Sequence, residues 1–350
     1  MTPSALPLAN EPSEKTMSPG DPIVFLSPSE IRALEIPHDY ILLGDCHLVR
    51  GGITLIGGPP GVGKSHALVS LALAGATGQS WFGLDVRARF KTAILQTENG
   101  PVRLKQEFDD IAEDGLEDYI RICLPPSYGL AIRDPSFCTS VRSQLKEFNP
   151  DVIGTDPFNS IAQDDRMGDY RDALNALRNF AAGFGKEVAL VIIAHTRKPR
   201  GDERPRGRDL LHEFSGSHVL LTAARCAFIM QHASSDPEDD RIVWTCCKNN
   251  DGTLGRPSAW RWRNGLFVPV EDCDMDALLA ASQPRRIVTA DDIRAVLAGN
   301  TMTRNDAVKE LMKRTGLGKS ACYDALGASG KFRDFLEEKD GLLRLKAQNN

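Results

Sequence analysis

Short, largely apolar runs alternate along the chain with longer segments in which apolar residues recur every third or fourth position. Ile53-Thr54-Leu55-Ile56, Phe90 to Gln96, Tyr119 to Leu124, Val152 to Thr155 and Val188 to Ala194 predict buried strands. His66 to Ala74, Arg103 to Asp114, Ser140 to Phe148 and Tyr170 to Phe184 predict the helices between them. From about Pro22 to Val270 strand follows helix, which predicts an α/β fold with a mostly parallel sheet covered by helices. The style then changes. Ile242 to Cys247, Ala259 to Arg263 and Leu266 to Val270 predict an antiparallel edge, the last two joined by the hairpin pair Asn264-Gly265.

After a helical or linker segment at Asp274 to Pro284 the pattern becomes helical again. Ala290 to Ala298 is stopped by Gly299-Asn300. Asn305 to Arg314 follows Thr303 as its N-cap and ends at Thr315-Gly316, and Lys319 to Leu326 is a third helix. Phe332 to Leu336 and Leu342 to Leu345 flank Asp340-Gly341, a hairpin signal. Three helices and a wing look like a small winged helix-turn-helix. The expected organisation is a disordered Pro-, Ser- and Thr-rich tail over 1–22, an α/β domain over 23–272, a linker over 273–286 and the small domain over 287–347.

Composition changes this picture little. A length of 350 residues suits two domains, and the 41% hydrophobic share supports a sizeable core. No apolar run approaches a membrane span, and no basic-then-apolar secretory signal opens the chain. Eight cysteines without a C-x-x-C pair predict free thiols in a reducing cytoplasm, with Cys246-Cys247 packing in a strand. Charge is uneven. Residues 285–350 carry 13 Lys and Arg against 9 Asp and Glu, about +4, which leaves about −9 on the remainder of a chain with net charge −5.

Chemistry concentrates first at Gly58-Pro59-Pro60-Gly61-Val62-Gly63-Lys64-Ser65, which reads G-x-x-x-x-G-K-S between a predicted strand and a predicted helix. Glycines let backbone N–H groups close on a β-phosphate, and the helix N-terminus, including His66, favours the anion. Lys64 is expected to reach the β- and γ-phosphates and Ser65 to ligate Mg²⁺, so ATP and Mg²⁺ are the expected ligands. Further candidates follow strand ends, where open α/β sheets bind ligands. Asp156 suits the water-mediated shell of Mg²⁺, or a turn before Pro157. Glu98 suits a general base that orients and deprotonates the attacking water, or a solvated loop position. His195 suits a hydrogen-bonding sensor of the γ-phosphate, or a satisfied polar residue.

Together G-G-P-P-G-V-G-K-S at 57–65, A-T-G-Q-S-W-F-G at 76–83, I-L-Q-T-E-N-G at 94–100, V-I-G-T-D-P at 152–157, V-I-I-A-H-T at 191–196 and S-G-S-H-V-L-L-T-A-A-R at 215–225 resemble a known group. These motifs, spread over about Ile41 to Val270, are similar to those of RecA-like P-loop NTPases of the RepA type, hexameric helicases of plasmid replication and their mobile-element relatives. The resemblance implies Glu98 as catalytic base, Asp156 as the Mg²⁺ aspartate and His195 as sensor. Two departures stand out. Ser215 replaces an Arg common before the Gly-Ser pair, and Lys248-Asn249-Asn250 keeps the Lys but not the Arg of a Lys-x-Arg tip that reaches the neighbour's γ-phosphate. The resemblance then leaves Arg225, Lys248 or the 197–208 loop as candidate trans-acting cations.

Arg197 to Arg208 holds six cations and two anions, with Gly and Pro that oppose a helix. Arg204, Arg206 and Arg208 would track phosphates of single-stranded DNA in a ring's channel, or simply solvate a surface loop. Lys319, Ser320 and Tyr323 would lead the third helix into a duplex major groove, or the module would dock a protein. The resulting expectation is a cytoplasmic, ring-forming homo-oligomer, a hexamer by resemblance, that hydrolyses ATP as a DNA helicase or translocase. The alternative is a nucleotide-switched DNA-binding loader or regulator without unwinding. A metabolic kinase is disfavoured, because no acceptor pocket is visible and the C-terminal module would go unused.

Overall fold

The computed structural model describes residues 23–346 apart from 110, 112–114, 163–166, 198–204, 206, 215–217, 235, 264, 272, 276–287, 299, 328–331 and 340. The chain forms two compact units, one ending at Ala281 and the other beginning at Ser282.

The first unit opens with a short exposed helix, α1 (Pro28–Arg32), capped by Ser27, and a small hairpin of β1 (Ile41–Leu43) and β2 (Leu48–Val49). Then come β3 (Ile53–Gly58), α2 (Lys64–Thr77), β4 (Thr92–Gln96), α3 (Pro101–Asp109), β5 (Ile120–Ile122), α4 (Pro135–Leu145), β6 (Val152–Asp156), α5 (Met167–Ala182) and β7 (Ala189–His195). It closes with α6 (His218–Ala223), β8 (Cys226–His232), β9 (Arg241–Asn249), β10 (Ser258–Arg263) and β11 (Leu266–Pro269). The sheet has nine strands in the order β11-β10-β9-β8-β3-β7-β6-β4-β5. Strand β3 lies inside it, parallel to both β7 and β8, while β8 to β11 continue antiparallel. This is the mostly parallel α/β sheet that the alternation of strands and helices predicts.

Alternation explains why β3 sits there. Leu55 points into the core beneath α5 and α6 and Ile56 into the core around α2, and neither is exposed at all. Each such burial contributes roughly 1.5–3 kcal/mol. An aromatic cluster extends the second of these cores. Trp81 donates from Nε1 to the Ala67 carbonyl and to Ser70 Oγ, both at 3.0 Å, and meets Trp244 edge-on. Phe82 stacks on Trp244 at 4.0 Å and lies 4.7 Å from Phe267. The Trp-Phe pair of the 76–83 motif therefore ties the antiparallel extension to α2.

Several element limits differ from the sequence expectation. Helix α4 starts five residues earlier than Ser140, because Asp134 accepts from Ser136 N at 2.7 Å and Pro135 occupies the first turn. The polar helix is α3, ending at Asp109, and β4 ends at Gln96, so Glu98 lies on the turn beyond the strand. Strand β8 was not foreseen, since α6 and β8 share one nearly continuous apolar stretch. The hairpin turn keeps Gly265 at φ +80, while Asn264 lies outside the described residues. The tail over 1–22 and most of the linker also lie outside them.

The second unit contains α7 (Ala290–Leu297), β12 (Met302–Thr303), α8 (Arg304–Thr315), α9 (Lys319–Leu326), β13 (Leu336–Lys339) and β14 (Leu342–Leu345). Its antiparallel sheet runs β12-β14-β13 over a core that includes Ile293, Leu311, Cys322 and Leu343. Among the described residues no helix is long and apolar enough to cross a membrane.

Candidate nucleotide-binding site

The segment between β3 and α2 is shaped by left-handed glycines. Gly61 and Gly63 have φ +77 and +96, a conformation that costs an L side chain energy, and Gly63 is the N-cap of α2. The loop thereby turns sharply enough to aim its backbone at the first turn of α2. Lys64 is only 7% exposed. Its Nζ donates to the carbonyls of Gly58 and Pro59 at 2.9 and 2.8 Å, curling back over the loop. Burial lowers its pKa, against the opposing pull of Asp156 and Glu98.

Asp156 ends β6 and is 3% exposed. Burial raises its pKa; a hydrogen bond from Ser65 lowers it, the Glu98 charge raises it, and Lys64 and Arg103 lower it. A hydroxyl beside a buried carboxylate is the hard oxygen donor set that Mg²⁺ prefers. Among the described residues no group of three or more His, Cys, Asp or Glu side chains could hold a metal alone. A cation at Ser65 and Asp156 would thus complete its shell with water and phosphate oxygens.

Gln96 builds the Glu98 turn from beneath. It is 1% exposed. Its Nε2 donates to the carbonyls of Asn99 and Cys123 at 2.9 and 2.8 Å, and its Oε1 accepts from Glu98 N and Asn99 N at 3.1 and 2.7 Å. Thr97 N donates to the Asp156 carbonyl at 3.1 Å, so the turn is also stitched to β6. Glu98 itself is exposed. His195 ends β7, in register with Gly58 of β3. Its Nδ1 is buried without a hydrogen-bond partner. Burial lowers its pKa, Lys64 lowers it further, and Glu98 and Asp156 act against both. Lys64, Glu98, Asp156 and His195 are therefore one electrostatic group, drawn from β3–α2, β4, β6 and β7.

A family model described as an AAA domain matches residues 25–201. The chain belongs to the AAA-domain family. Its fold is similar to that of the KaiC-like protein PH0186 from the hyperthermophilic archaeon Pyrococcus horikoshii OT3, at 15% identity over 65% of this chain and 94% of that one, with a TM-score of 0.46. It is also similar to the RadB recombinase, at 15% identity over 64% and 93% of the two chains and a TM-score of 0.43. No curated protein matches the sequence. Family membership and the phosphate loop make this AAA-domain chain a nucleotide-binding P-loop ATPase.

The remaining candidates lie elsewhere in the AAA-domain fold. Cys226 pairs with Thr54 and Lys248 with Ala227, so Arg225 and Lys248 sit toward the end of β3 away from its glycine loop. Arg225 pairs with Asp251 at 3.2 Å, and Lys248 donates to the Leu221 carbonyl at 2.6 Å. Neither is placed to act on the chain's own phosphate loop. Arg204, Arg206 and Ser215 lie outside the described residues, while Arg208 is exposed. The basic loop's ends are fastened: Thr196 bridges Phe214, and Arg197 pairs with Glu213 at 2.9 Å. Arg197 is thus a tether rather than a free cation. Gly57 is constrained by the same strut, since a Cβ there would lie 2.6 Å from Phe214 Cε1.

In the second unit Lys319 is exposed, with Nζ 5.7 Å from the Tyr323 ring centre, and the Tyr323 hydroxyl hydrogen-bonds Asn305 Oδ1. The Ser320 side chain lies outside the described residues. Sequence reasoning missed Gln96, Arg103, Glu107 and Trp262. No sequence signal marks Glu107: it is the buried position of an otherwise polar helix, and only the structure shows it.

Proposed function

We propose that the protein is a Mg²⁺-dependent ATPase that couples its cycle to DNA as a ring-forming helicase or translocase in replication of a plasmid, phage or integrated element. The observation that carries the ATPase part is the convergence of Lys64, Ser65, Asp156, Glu98 and His195 at one end of neighbouring strands. Lys64 would exchange its two carbonyl partners for β- and γ-phosphate oxygens, and the loop N–H groups would hold the β-phosphate. Ser65 and, through water, Asp156 would hold Mg²⁺, which would supply charge neutralisation at the phosphates. Glu98 would take the proton of the attacking water from its braced turn. The neutral His195 would donate or accept one hydrogen bond at the γ-phosphate and carry its presence into β7.

DNA coupling is favoured by the position of the basic loop directly after His195, with Arg197 and Phe214 anchoring it against β3 and β7. The second unit, read as a winged helix-turn-helix, would present Lys319, Ser320 and Tyr323 to duplex DNA. Arg225 and Lys248, far from their own phosphate loop, suit contact with a neighbouring subunit's nucleotide. A second reading, a nucleotide-switched loader or regulator, is favoured by the missing Arg at 215 and 250, since a trans arginine is worth ~10³–10⁵ in rate. The test is ATP turnover and strand separation with single- and double-stranded DNA. Stimulation of both supports the helicase, stimulation of turnover alone supports the loader, and Mg²⁺-independent or absent hydrolysis overturns the ATPase reading.

A further inference from the structure

Three planar groups pack against one another beside the first turn of α2. Arg103 Nη2 lies 3.4 Å from both ring nitrogens of His66, which places the guanidinium over the imidazole. The Trp262 ring lies 4.1 Å from the imidazole centre, tilted by 35°. The layers come from α3, α2 and β10, so three separate elements converge on one residue. Glu107 fixes the imidazole edge with a 2.7 Å contact from Oε1 to Nδ1, and its side chain is only 2% exposed. Its Oε2 has no hydrogen-bond partner and faces Arg103 Nη2 at 3.6 Å, while Arg103 Nη1 is buried without a hydrogen bond. Phe267 backs Trp262 at 4.8 Å and stands 3.4 Å from where a Gly63 Cβ would be.

A core has no need of such a group. Burying a carboxylate and a guanidinium with unsatisfied atoms is costly, and an apolar pair would lock α3 to α2 more cheaply. Position offers the explanation. His66 directly follows Ser65, so with phosphates on the loop the nucleoside must leave the site past residue 66. There it meets an indole and an imidazole packed 4.1 Å apart. Base stacking on aromatic faces, reinforced by a guanidinium, is the usual recognition of a heterocyclic base.

We propose that His66 and Trp262, backed by Arg103 and Glu107, form the nucleobase subsite of the nucleotide, with a purine ring stacking on this layer. The proposal rests on the phosphate-loop reading above. The polyphosphate and the base are then held by different parts of one site. The loop holds the first, and the β10–β11 hairpin and α3 hold the second.

The test compares MgATP with magnesium tripolyphosphate, which has the phosphates but no base, by titration calorimetry on the full chain. Trp262→Ala should weaken MgATP by roughly 5- to 150-fold, the span of base–aromatic stacking, and leave tripolyphosphate unchanged. Trp262→Phe keeps an aromatic face and the fold of the hairpin. It should retain most of the affinity while removing the tryptophan emission change that MgATP, but not tripolyphosphate, produces in the wild type. Equal weakening of both ligands in Trp262→Ala, or unchanged MgATP binding, overturns the subsite. Wild-type protein that binds neither ligand overturns the phosphate-loop reading instead, and the subsite with it.

Discussion

Replacing Gln96 by Leu tests whether the Glu98 turn is positioned from beneath. Leu has nearly the same volume, so little cavity is created, but all four hydrogen bonds of the side-chain amide vanish. Net contributions of about 0.5–1.5 kcal/mol each would give several kcal/mol. The turn is half exposed, so water can replace part of the loss at Glu98 N and Asn99 N. The Cys123 carbonyl, deeper in the sheet edge, has less access. A destabilisation of about 2–4 kcal/mol is therefore expected in urea melts. The functional effect should be separable. Lys64, Ser65 and Asp156 are untouched, so ATP affinity should stay within a few-fold of wild type. A carboxylate misplaced by about 1 Å should lower kcat by roughly 10²-fold. Steady-state ATPase rates beside equilibrium ATP binding give both quantities. Unchanged kcat in a Gln96→Leu protein of the expected lower stability would refute the claim that this amide aims the base.

Glu98→Gln should keep ATP binding while kcat falls by ~10²–10⁴, and an unchanged turnover per bound ATP would make Glu98 structural. Lys64→Ala should lose triphosphate binding or hydrolysis in calorimetry and phosphate-release assays; near-normal turnover would remove the loop assignment. Burial raises the Asp156 pKa above 3.8, so the folded state holds its proton more tightly and stability falls as pH rises through that window, leaving the cost in place at neutral pH. Asp156→Asn should then raise the melting temperature of the nucleotide-free protein at pH 7 while abolishing Mg²⁺-dependent turnover; a lower melting temperature refutes the first half. His195, depressed below 6.5, should make the protein lose stability as pH falls beneath that value, and His195→Asn should blunt the loss in pH-dependent melts.

The convergence of Lys64, Ser65, Asp156 and His195 was readable because each is marked locally: Lys64 and Ser65 follow a strand and a glycine turn, and Asp156 and His195 end apolar runs. The α/β class followed from the same alternation. The base-binding half was not readable. Arg103 and Glu107 sit in a helix whose polarity suggests solvent, and Trp262 lies nearly 200 positions beyond His66 in sequence. Only the sheet order, which folds β10 and β11 back toward α2, brings them together. Strand β8 was hidden for a different reason. Val219 to Met230 is apolar almost throughout, and the break between helix and strand falls at Ala224-Arg225, where no Gly or Pro marks it.

The paired anchors of the basic loop have a consequence for engineering. Thr196–Phe214 and Arg197–Glu213 clasp the chain where it leaves β7 and where it comes back beside it, and the turn of 3₁₀ helix Gly207–Glu213 sets Leu210 into the core, so both anchors are fixed. Closure entropy grows only with the logarithm of length, about 0.6 kcal/mol for each doubling. Foreign sequence, a fluorophore tag or a different number of cations can therefore be inserted between Arg197 and Gly207 with little strain on β7. This stretch is a natural graft point, where its charge can be rewritten while the anchors beside Gly57 stay in place.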